Sequence, residues 1–315
     1  MDASSGAVAP AASDAAARTG SQRPSRTLTR QMLRQPAIIT GAALLALMLL
    51  VALLAPWLGT VDPSEIDPSA RNLKPGEIVV ATAPDGRSVE RVAILGTDNL
   101  GRDLYSRVLY GTRVSLIVGS CVAVLSVGLG LLIGGVAGFS RRLDGPVMRV
   151  MDGLMAIPAI LLAIALVAIW GGGLVTVIFA ITVPDVPRVV RLVRSVVLSV
   201  REEPYVESAV ALGAPLPLLL IRHVLPSTVA PLIVQGTFLC ASAMLAEAAL
   251  SFLGVGIPAE IPSWGNIIAE GRSQFRLHPH AIFYPGLFLA LTVLAVNTLG
   301  DGLRDTIDPK SRQRL

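Results

Sequence analysis

The chain has 315 residues, of which 53% are hydrophobic and 15% charged, against roughly 45–50% and 25% in an ordinary soluble domain. The formal charge of +4, from 26 basic and 22 acidic residues, is too small to indicate a nucleic-acid-binding protein. Composition therefore excludes a typical soluble enzyme and predicts a chain that lies mostly in a lipid bilayer. Cys121 and Cys240, the two cysteines of the sequence, lie inside apolar runs, which indicates neither a metal site nor a disulfide framework.

The N-terminal part of the chain is predicted to be a tail followed by a membrane anchor. Residues 1–29 are rich in Ala, Ser, Thr, Gly and Arg without an apolar period, which predicts a disordered cytoplasmic tail. Residues 30–58 contain an apolar run that is long enough to cross a bilayer. A secretory signal peptide is the alternative, but the run is longer than a signal core and lacks a small-residue cleavage site, so we interpret it as a retained anchor.

Five further apolar runs have about the 20 residues that a membrane-spanning helix needs. We predict an all-α integral membrane protein with about six transmembrane helices. The five runs are 114–139, 150–170, 174–191, 227–253 and 281–300.

Lysine and arginine concentrate in the short segments that alternate across these helices, which predicts that both termini face the cytoplasm. The predicted division of the remaining chain is an extracytoplasmic segment, a transmembrane core with a long cytoplasmic loop, and a cytoplasmic C-terminal tail. These parts cover residues 59–113, 114–300 (loop 201–226) and 301–315.

The loop 201–226 carries signals for a short helix on the cytoplasmic side. Pro204 suits the first helical position, and Gly213 suits a left-handed stop after Leu212. Val206, Ala209 and Val210 recur at three- and four-residue spacing, beside the acidic Glu207. A short helix with apolar side chains and one acid is suited to bind in a groove of a partner protein.

The pattern Glu207-Ser208-Ala209, then Gly213, then Leu225-Pro226 resembles the EAA loop of ABC importer permeases, the coupling helix that contacts the ATPase subunit. Ser208 replaces the usual alanine, and His223 stands where many importers carry isoleucine, although peptide and nickel permeases commonly have histidine there. The resemblance implies a contact set of Pro204, Tyr205, Glu207, Ser208, Ala209, Leu212, Gly213, His223, Leu225 and Pro226.

Three more stretches resemble the "C" type permease subunit of dipeptide, oligopeptide and nickel importers. They are LGTDNLGRDLYSR from Leu95 with YGTRVSL from Tyr110, AEAALSFLGVG from Ala246 with PSWG from Pro262, and NTLGDGLRD from Asn297. The resemblance implies the transmembrane domain of a type I ABC importer in a bacterial cytoplasmic membrane. It also implies a second permease subunit as heterodimer partner, one or two ATPase subunits and an extracytoplasmic binding protein. The cargo it implies is a short peptide, with nickel or glutathione as the alternative.

The sequence contains no G-x-x-x-x-G-K-[ST] loop for nucleotide phosphates. We therefore expect no cofactor or metal on this chain and no enzymatic activity, with ATP and Mg²⁺ bound by the partner ATPase subunits. A rival hypothesis is a secondary transporter driven by protons through Glu247 or Asp185, but no internal repeat supports it. An intramembrane enzyme would need a nucleophile and base, or a metal cluster, and no such set is evident.

Glu247 and Asp185 are candidates for the translocation path, because an acid within an apolar run is costly unless it is paired or hydrated. The alternative for both is a structural role, as a hydrogen-bonded packing residue or a helix cap. Arg188, Arg191 and Arg194 share one helix face, and we expect them to reach lipid headgroups, or else the ATPase or the partner permease.

Overall fold

The computed structural model describes residues 35–82, 88–219, 221–222 and 225–307. The predicted tail, residues 1–29, lies outside this part of the chain. Two short strands, β1 (Ile78–Thr82) and β2 (Ser88–Val92), precede the long second helix. The helices are, in chain order, α1 (Pro36–Leu54), α2 (Leu104–Phe139), α3 (Arg141–Ala156), α4 (Ala159–Trp170), α5 (Leu174–Arg201), α6 (Pro204–Ala211), α7 (Leu216–Leu219), α8 (Leu225–Phe252), α9 (Trp264–Gly271) and α10 (His280–Ile307).

Four helices of the described part are long and apolar enough to cross a membrane: α1 with its 3-10 extension to Trp57, α2, α8 and α10. Helices α3 and α4 meet the same criterion together, but they are bent by 90° relative to each other. The predicted all-α membrane fold is thus confirmed, with four or five candidate spans by length and composition, where the sequence predicted about six.

The predicted span 174–191 is helical but charged. It forms the first part of α5, and Pro184 and Pro187 lie inside this helix without ending it. Asp185, Arg188 and Arg191 fall within the predicted range. These three charges explain why α5 is not among the helices that composition alone marks as membrane spans.

The predicted third span, residues 150–170, is wrong as a continuous helix. Ile157 has extended backbone dihedrals (φ −91°, ψ 130°) between α3 and α4. Steric contact with the following Pro158 ring disfavours the helical conformation at Ile157, and Pro158 has no N–H to donate. The chain therefore turns at this point.

Close packing of α2 against α5 forms the centre of the molecule. Gly130, Gly134 and Gly138 lie one turn apart on α2, and a Cβ added at any of them would come within 3.0 Å of α5 atoms. Val189, Val193 and Val197 of α5 occupy this face and are fully buried. Without side chains at the three glycines the two backbones approach closely, which maximises dispersion contacts where lipid offers no hydrophobic driving force.

Helices α1 and α10 pack together in the same manner. A Cβ at Gly41 of α1 would lie 2.6 Å from the backbone nitrogen of Leu299, and one at Gly302 would lie 2.6 Å from the Ile38 side chain. This packing extends α10 to Ile307, so residues 301–307 of the predicted cytoplasmic C-terminal tail are helical, and its residues 308–315 lie outside the described part of the chain.

The predicted extracytoplasmic segment contains a β-hairpin that the sequence did not indicate. Strands β1 and β2 pair antiparallel, with Ile78 opposite Val92. Val79 and Ala93 on the inner face form a small core with Ala70. The described residues 59–82 and 88–103 therefore form a lobe with its own packed interior.

Replacing Gly134 by alanine is expected to destabilise the protein, because the new Cβ would lie 2.8 Å from the Val190 carbonyl oxygen. We expect a loss of about 1–3 kcal/mol, the usual cost of overpacking a filled interface. Thermal unfolding of the detergent-purified protein measures it. Gly128→Ala is the matched control, because this glycine lies in the same helix with nothing within 4 Å of the added Cβ. Equal melting temperatures for the two variants would contradict the packing argument.

Candidate functional site

The helix predicted on the cytoplasmic side is present as α6. It begins at Pro204 after an extended Glu203, whose carbonyl oxygen accepts from the Val206 N–H at 2.9 Å. Proline suits this position because the first amides of a helix have no helical partner. The Ser208 hydroxyl donates to the Pro204 carbonyl oxygen at 2.7 Å, so the unusual serine of the motif is accommodated inside the helix.

Gly213 ends α6 as predicted. Its φ of +78° is left-handed, its N–H donates to the Val210 carbonyl oxygen at 2.9 Å, and the Ala214 N–H donates to the Ala209 carbonyl oxygen at 3.1 Å. This pair of hydrogen bonds is a Schellman motif. Both ends of α6 therefore lie where the proline and the glycine of the sequence predict them.

The side chains of α6 divide between the chain's own core and the surface. Val206 is fully buried and belongs to the same cluster as Val197 and Val200 of α5. Val210 is half-exposed and Leu212 is 88% exposed. The predicted apolar stripe is thus split, because Val206 holds the helix on α5 while Val210 faces outward.

The remainder of the predicted contact set follows α6. Leu225 and Pro226 open α8 and are both exposed. His223 lies outside the described residues. Glu207 and Tyr205 are exposed on α6, so the surface presented here combines aromatic, acidic and aliphatic groups.

The two acids proposed for the translocation path are both largely buried. Asp185 is 8% exposed, and Arg188 of the same helix lies 3.7 Å from its carboxylate. Glu247 is fully buried, and its Oε1 accepts from the Ser251 and Ser263 hydroxyls at 2.9 and 2.7 Å.

Glu247 joins two stretches that were prominent in the sequence. It lies on α8, and Ser263 is the N-cap of α9, where the Asn266 N–H donates to the Ser263 hydroxyl oxygen at 3.2 Å. A Cβ at Gly265 would lie 2.6 Å from the Cα of Ala248, so the glycine permits this contact. The geometry favours the structural alternative for Glu247, and its part in the path stays a prediction.

The arginines of α5 form ion pairs with aspartates of the chain, and their contact with headgroups or partners stays a prediction. Arg191 donates to Asp152 at 2.6 Å, and Arg194 binds Asp144 through two nitrogens. Both aspartates lie on α3, so these ion pairs hold α3 against α5.

A buried charge cluster connects the lobe to the helices, and consists of Asp98, Arg102, Arg107 and Glu270. Arg102 lies 2.6 Å from Asp98 and 2.5 Å from Glu270, and Arg107 lies 3.2 Å from Glu270. Both guanidinium groups also donate to the Ala259 carbonyl oxygen at 3.3 Å. Two cations and two anions leave the cluster formally neutral, and buried charges of this kind require such pairing.

Electrostatics in this cluster depend on burial. Arg107 is fully buried, and desolvation raises the pKa of the Glu270 carboxyl while the guanidinium groups of Arg107 and Arg102 oppose that rise. Sequence reasoning found the stretch that carries Asp98, Arg102 and Arg107 only through its family resemblance. Glu270 was missed, because nothing local relates it to residues more than 160 positions earlier.

Comparison with known proteins matches two families. Residues 126–313 match the family described as binding-protein-dependent transport system inner membrane component. Residues 24–75 match the N-terminal TM domain of oligopeptide transport permease C.

Several curated proteins are similar over nearly their whole length. A probable peptide ABC transporter permease protein of Sinorhizobium fredii is 52% identical, covering 91% of this chain and 94% of the relative. A di/tripeptide transport system permease protein of Pseudomonas aeruginosa is 41% identical over 86% and 87%. A glutathione transport system permease protein of Escherichia coli is 38% identical over 89% of each chain.

Replacing Glu270 by glutamine is expected to destabilise the protein by about 3 kcal/mol, because it leaves two buried guanidinium groups with one carboxylate. The measurement is the thermal unfolding midpoint of the purified protein. Glu260→Gln is the control, since this exposed glutamate lies in the same segment and surface changes usually cost less than about 0.5 kcal/mol. If both variants unfold at the parental temperature, the cluster does not hold the lobe.

Proposed function

The chain belongs to the family of binding-protein-dependent transport system inner membrane components, and on this premise we propose that it is one of two permease subunits of an ATP-driven importer for short peptides. Its place as a multi-pass permease of the inner membrane follows from the family and from the spanning helices. The observation that carries the finer proposal is α6, a short helix held on the core by one face and exposed on the other.

Coupling to an ATPase subunit requires a surface that moves with the membrane helices. Val206 packs with Val197 and Val200, so a displacement of α6 is passed directly to α5. The outer face presents Glu207, Val210 and Leu212. An amphipathic helix end of this size suits a hydrophobic groove with a basic rim on the partner. We propose His223, Leu225 and Pro226 as further contacts with the ATPase subunit.

ATP and Mg²⁺ belong, in this proposal, to one or two separate ATPase subunits. The support is the absence from the sequence of a phosphate-binding loop of the G-x-x-x-x-G-K-[ST] type. A second permease subunit completes the path, and an extracytoplasmic binding protein delivers the cargo. Names of relatives in peptide transport systems support this set of partners.

Both termini face the cytoplasm in the proposed orientation. It places α6 on the ATPase side and the predicted extracytoplasmic segment, residues 59–113, outside. The arginines at positions 141, 142 and 149 of α3 support it, since positive residues concentrate on the cytoplasmic side.

Short peptides are the proposed cargo, because the relatives named for peptide transport include the 52% identical protein. Glutathione is the second candidate, favoured by a 38% identical relative named for its transport. It is itself a tripeptide, so one path chemistry serves both. Nickel remains as the alternative from the sequence resemblance.

Replacing Gly213 by valine is expected to reduce transport and copurification of the ATPase subunits while membrane insertion persists. Valine at a φ of +78° is strained, so the end of α6 must change direction. Glu207→Lys should act similarly by reversing the charge offered to the partner. The measurement is uptake, stimulated ATP hydrolysis and copurification at equal membrane levels of variant and parent.

Gly59→Val is the matched control for strain. Gly59 also has a left-handed φ, +72°, and like Gly213 it has nothing within 4 Å of an added Cβ. It follows α1, and in the proposed orientation it lies on the side of the membrane opposite to α6. It should lose no ATPase contact. If Gly213→Val and Glu207→Lys both retain parental uptake and hydrolysis, the coupling role of α6 is wrong.

Deleting the gene is expected to abolish uptake of labelled di- and tripeptides in a strain without a redundant importer, and the parental gene restores it. Glutathione and nickel uptake are measured in parallel. Loss confined to nickel would refute peptide cargo, and normal uptake of all three would refute the importer assignment.

A further inference from the structure

The break between α3 and α4 lies at membrane depth. Met151, near the end of α3, packs in one cluster with Ile133 of α2. Val167 of α4 packs in another with Val122 of the same helix. The break at Ile157–Pro158 therefore lies beside the part of α2 between Val122 and Ile133, in the interior of a candidate membrane span.

Backbone polar groups at this break lack helical partners. The last carbonyls of a helix and the first amides of the next are unpaired by geometry, and Pro158 contributes no N–H. The Pro158 carbonyl oxygen accepts from the Leu161 and Leu162 N–H groups, at 3.0 and 3.1 Å, inside α4. Ile157 is 45% exposed, so nothing in the described chain covers the turn fully.

Lipid is an unsuitable environment for such a turn. Hydrocarbon offers no hydrogen-bond partner, and irregular backbone at this depth occurs only where protein buries it or where it lines a water-filled cavity. Helix α4 alone is also too short to span the membrane, which places the turn inside the hydrocarbon layer. It has 12 residues and would be about 18 Å long, against a layer of roughly 30 Å.

Charged groups near the break favour water over a dry protein contact. Asp152 lies on α3 five residues before Ile157, and its ion pair with Arg191 leaves the two side chains 58% and 45% exposed. Arg188 lies one turn nearer the outer end of α5 and is also half-exposed. Ionised groups in membrane segments usually face an aqueous cavity or the interior of a bundle.

We infer that the turn at Ile157–Pro158, together with the Asp152–Arg191 ion pair, lines a water-filled part of the cargo path. This inference rests on the proposed function, since the second permease subunit would close the path on this face. Unpaired backbone groups and an exposed ion pair hydrate readily, and they match the amides and charged ends of a short peptide. Apolar neighbours such as Ile157 leave the surface without a single tight binding site.

Cysteine accessibility tests the inference in the assembled importer. Cys121 and Cys240 are first replaced by alanine, and Ile157→Cys and Leu132→Cys are then introduced separately. Leu132 is the control, because it is exposed on α2 in the same candidate span, next to Ile133, at the level where Met151 of α3 packs. A charged methanethiosulfonate reagent should modify Ile157→Cys at least about tenfold faster than Leu132→Cys, since only the hydrated thiol ionises to the reactive thiolate.

Equal, slow modification of both cysteines would overturn the inference, whether lipid or dry protein covers the turn. If Ile157→Cys fails to assemble, Met155→Cys replaces it, since Met155 is exposed in the last turn of α3, two residues before Ile157. Peptide uptake and ATPase copurification are measured for the wild-type protein and for the cysteine-free parent. If the two cysteines are modified equally slowly while both properties are intact, the inference fails and the proposed function stands, whereas a wild-type protein that neither transports nor retains ATPase subunits refutes the function itself.

Discussion

Contact between the glycines of α2 and the valines of α5 is the constraint on which the rest of the structure depends. Three glycines one turn apart let the backbones meet, and Val189, Val193 and Val197 fill the space that side chains would otherwise take. The row of valines extends beyond the end of α5. It continues through Val200 to Val206, so the cluster that joins the two long helices also holds the short helix α6.

The two ends of this helix pair are fixed by different chemistry. At the start of α2 the buried charge cluster ties the lobe to α9, and Trp264 of α9 donates its indole N–H to the Val108 carbonyl oxygen at 3.1 Å. At the C-terminal end of α5, apolar contacts of Val206 hold α6. Charge pairing gives the lobe a defined orientation because a displaced partner would leave a buried ion unpaired.

Helices α3 and α4 pack against this centre, with Val167 of α4 in one cluster with Val122 of α2. Ion pairs from Asp144 and Asp152 hold α3 to α5, and beyond them the chain turns at Ile157–Pro158 with its surface exposed. The exposed turn thus follows a helix that is bound to α5, and α5 also carries α6. A single helix thus contacts both the proposed cargo path and the proposed ATPase surface, which gives a direct physical route between ATP hydrolysis and transport.

The sequence by itself determined the membrane class, the positions of most helices and both ends of α6, because those signals reside in a few adjacent residues. An apolar run, a proline at a first helical position and a glycine at a left-handed stop act locally. Gly130, Gly134, Gly138 and Pro158 are also present in the sequence, but nothing local says which helix meets the glycines or that the chain turns at the proline. The tertiary structure decided those points, and it alone brought Glu270 to Arg102 and Arg107 and Ser263 to Glu247. These pairings depend on how whole helices pack, since a buried charge or a bare glycine face is stable only when a distant segment supplies its complement.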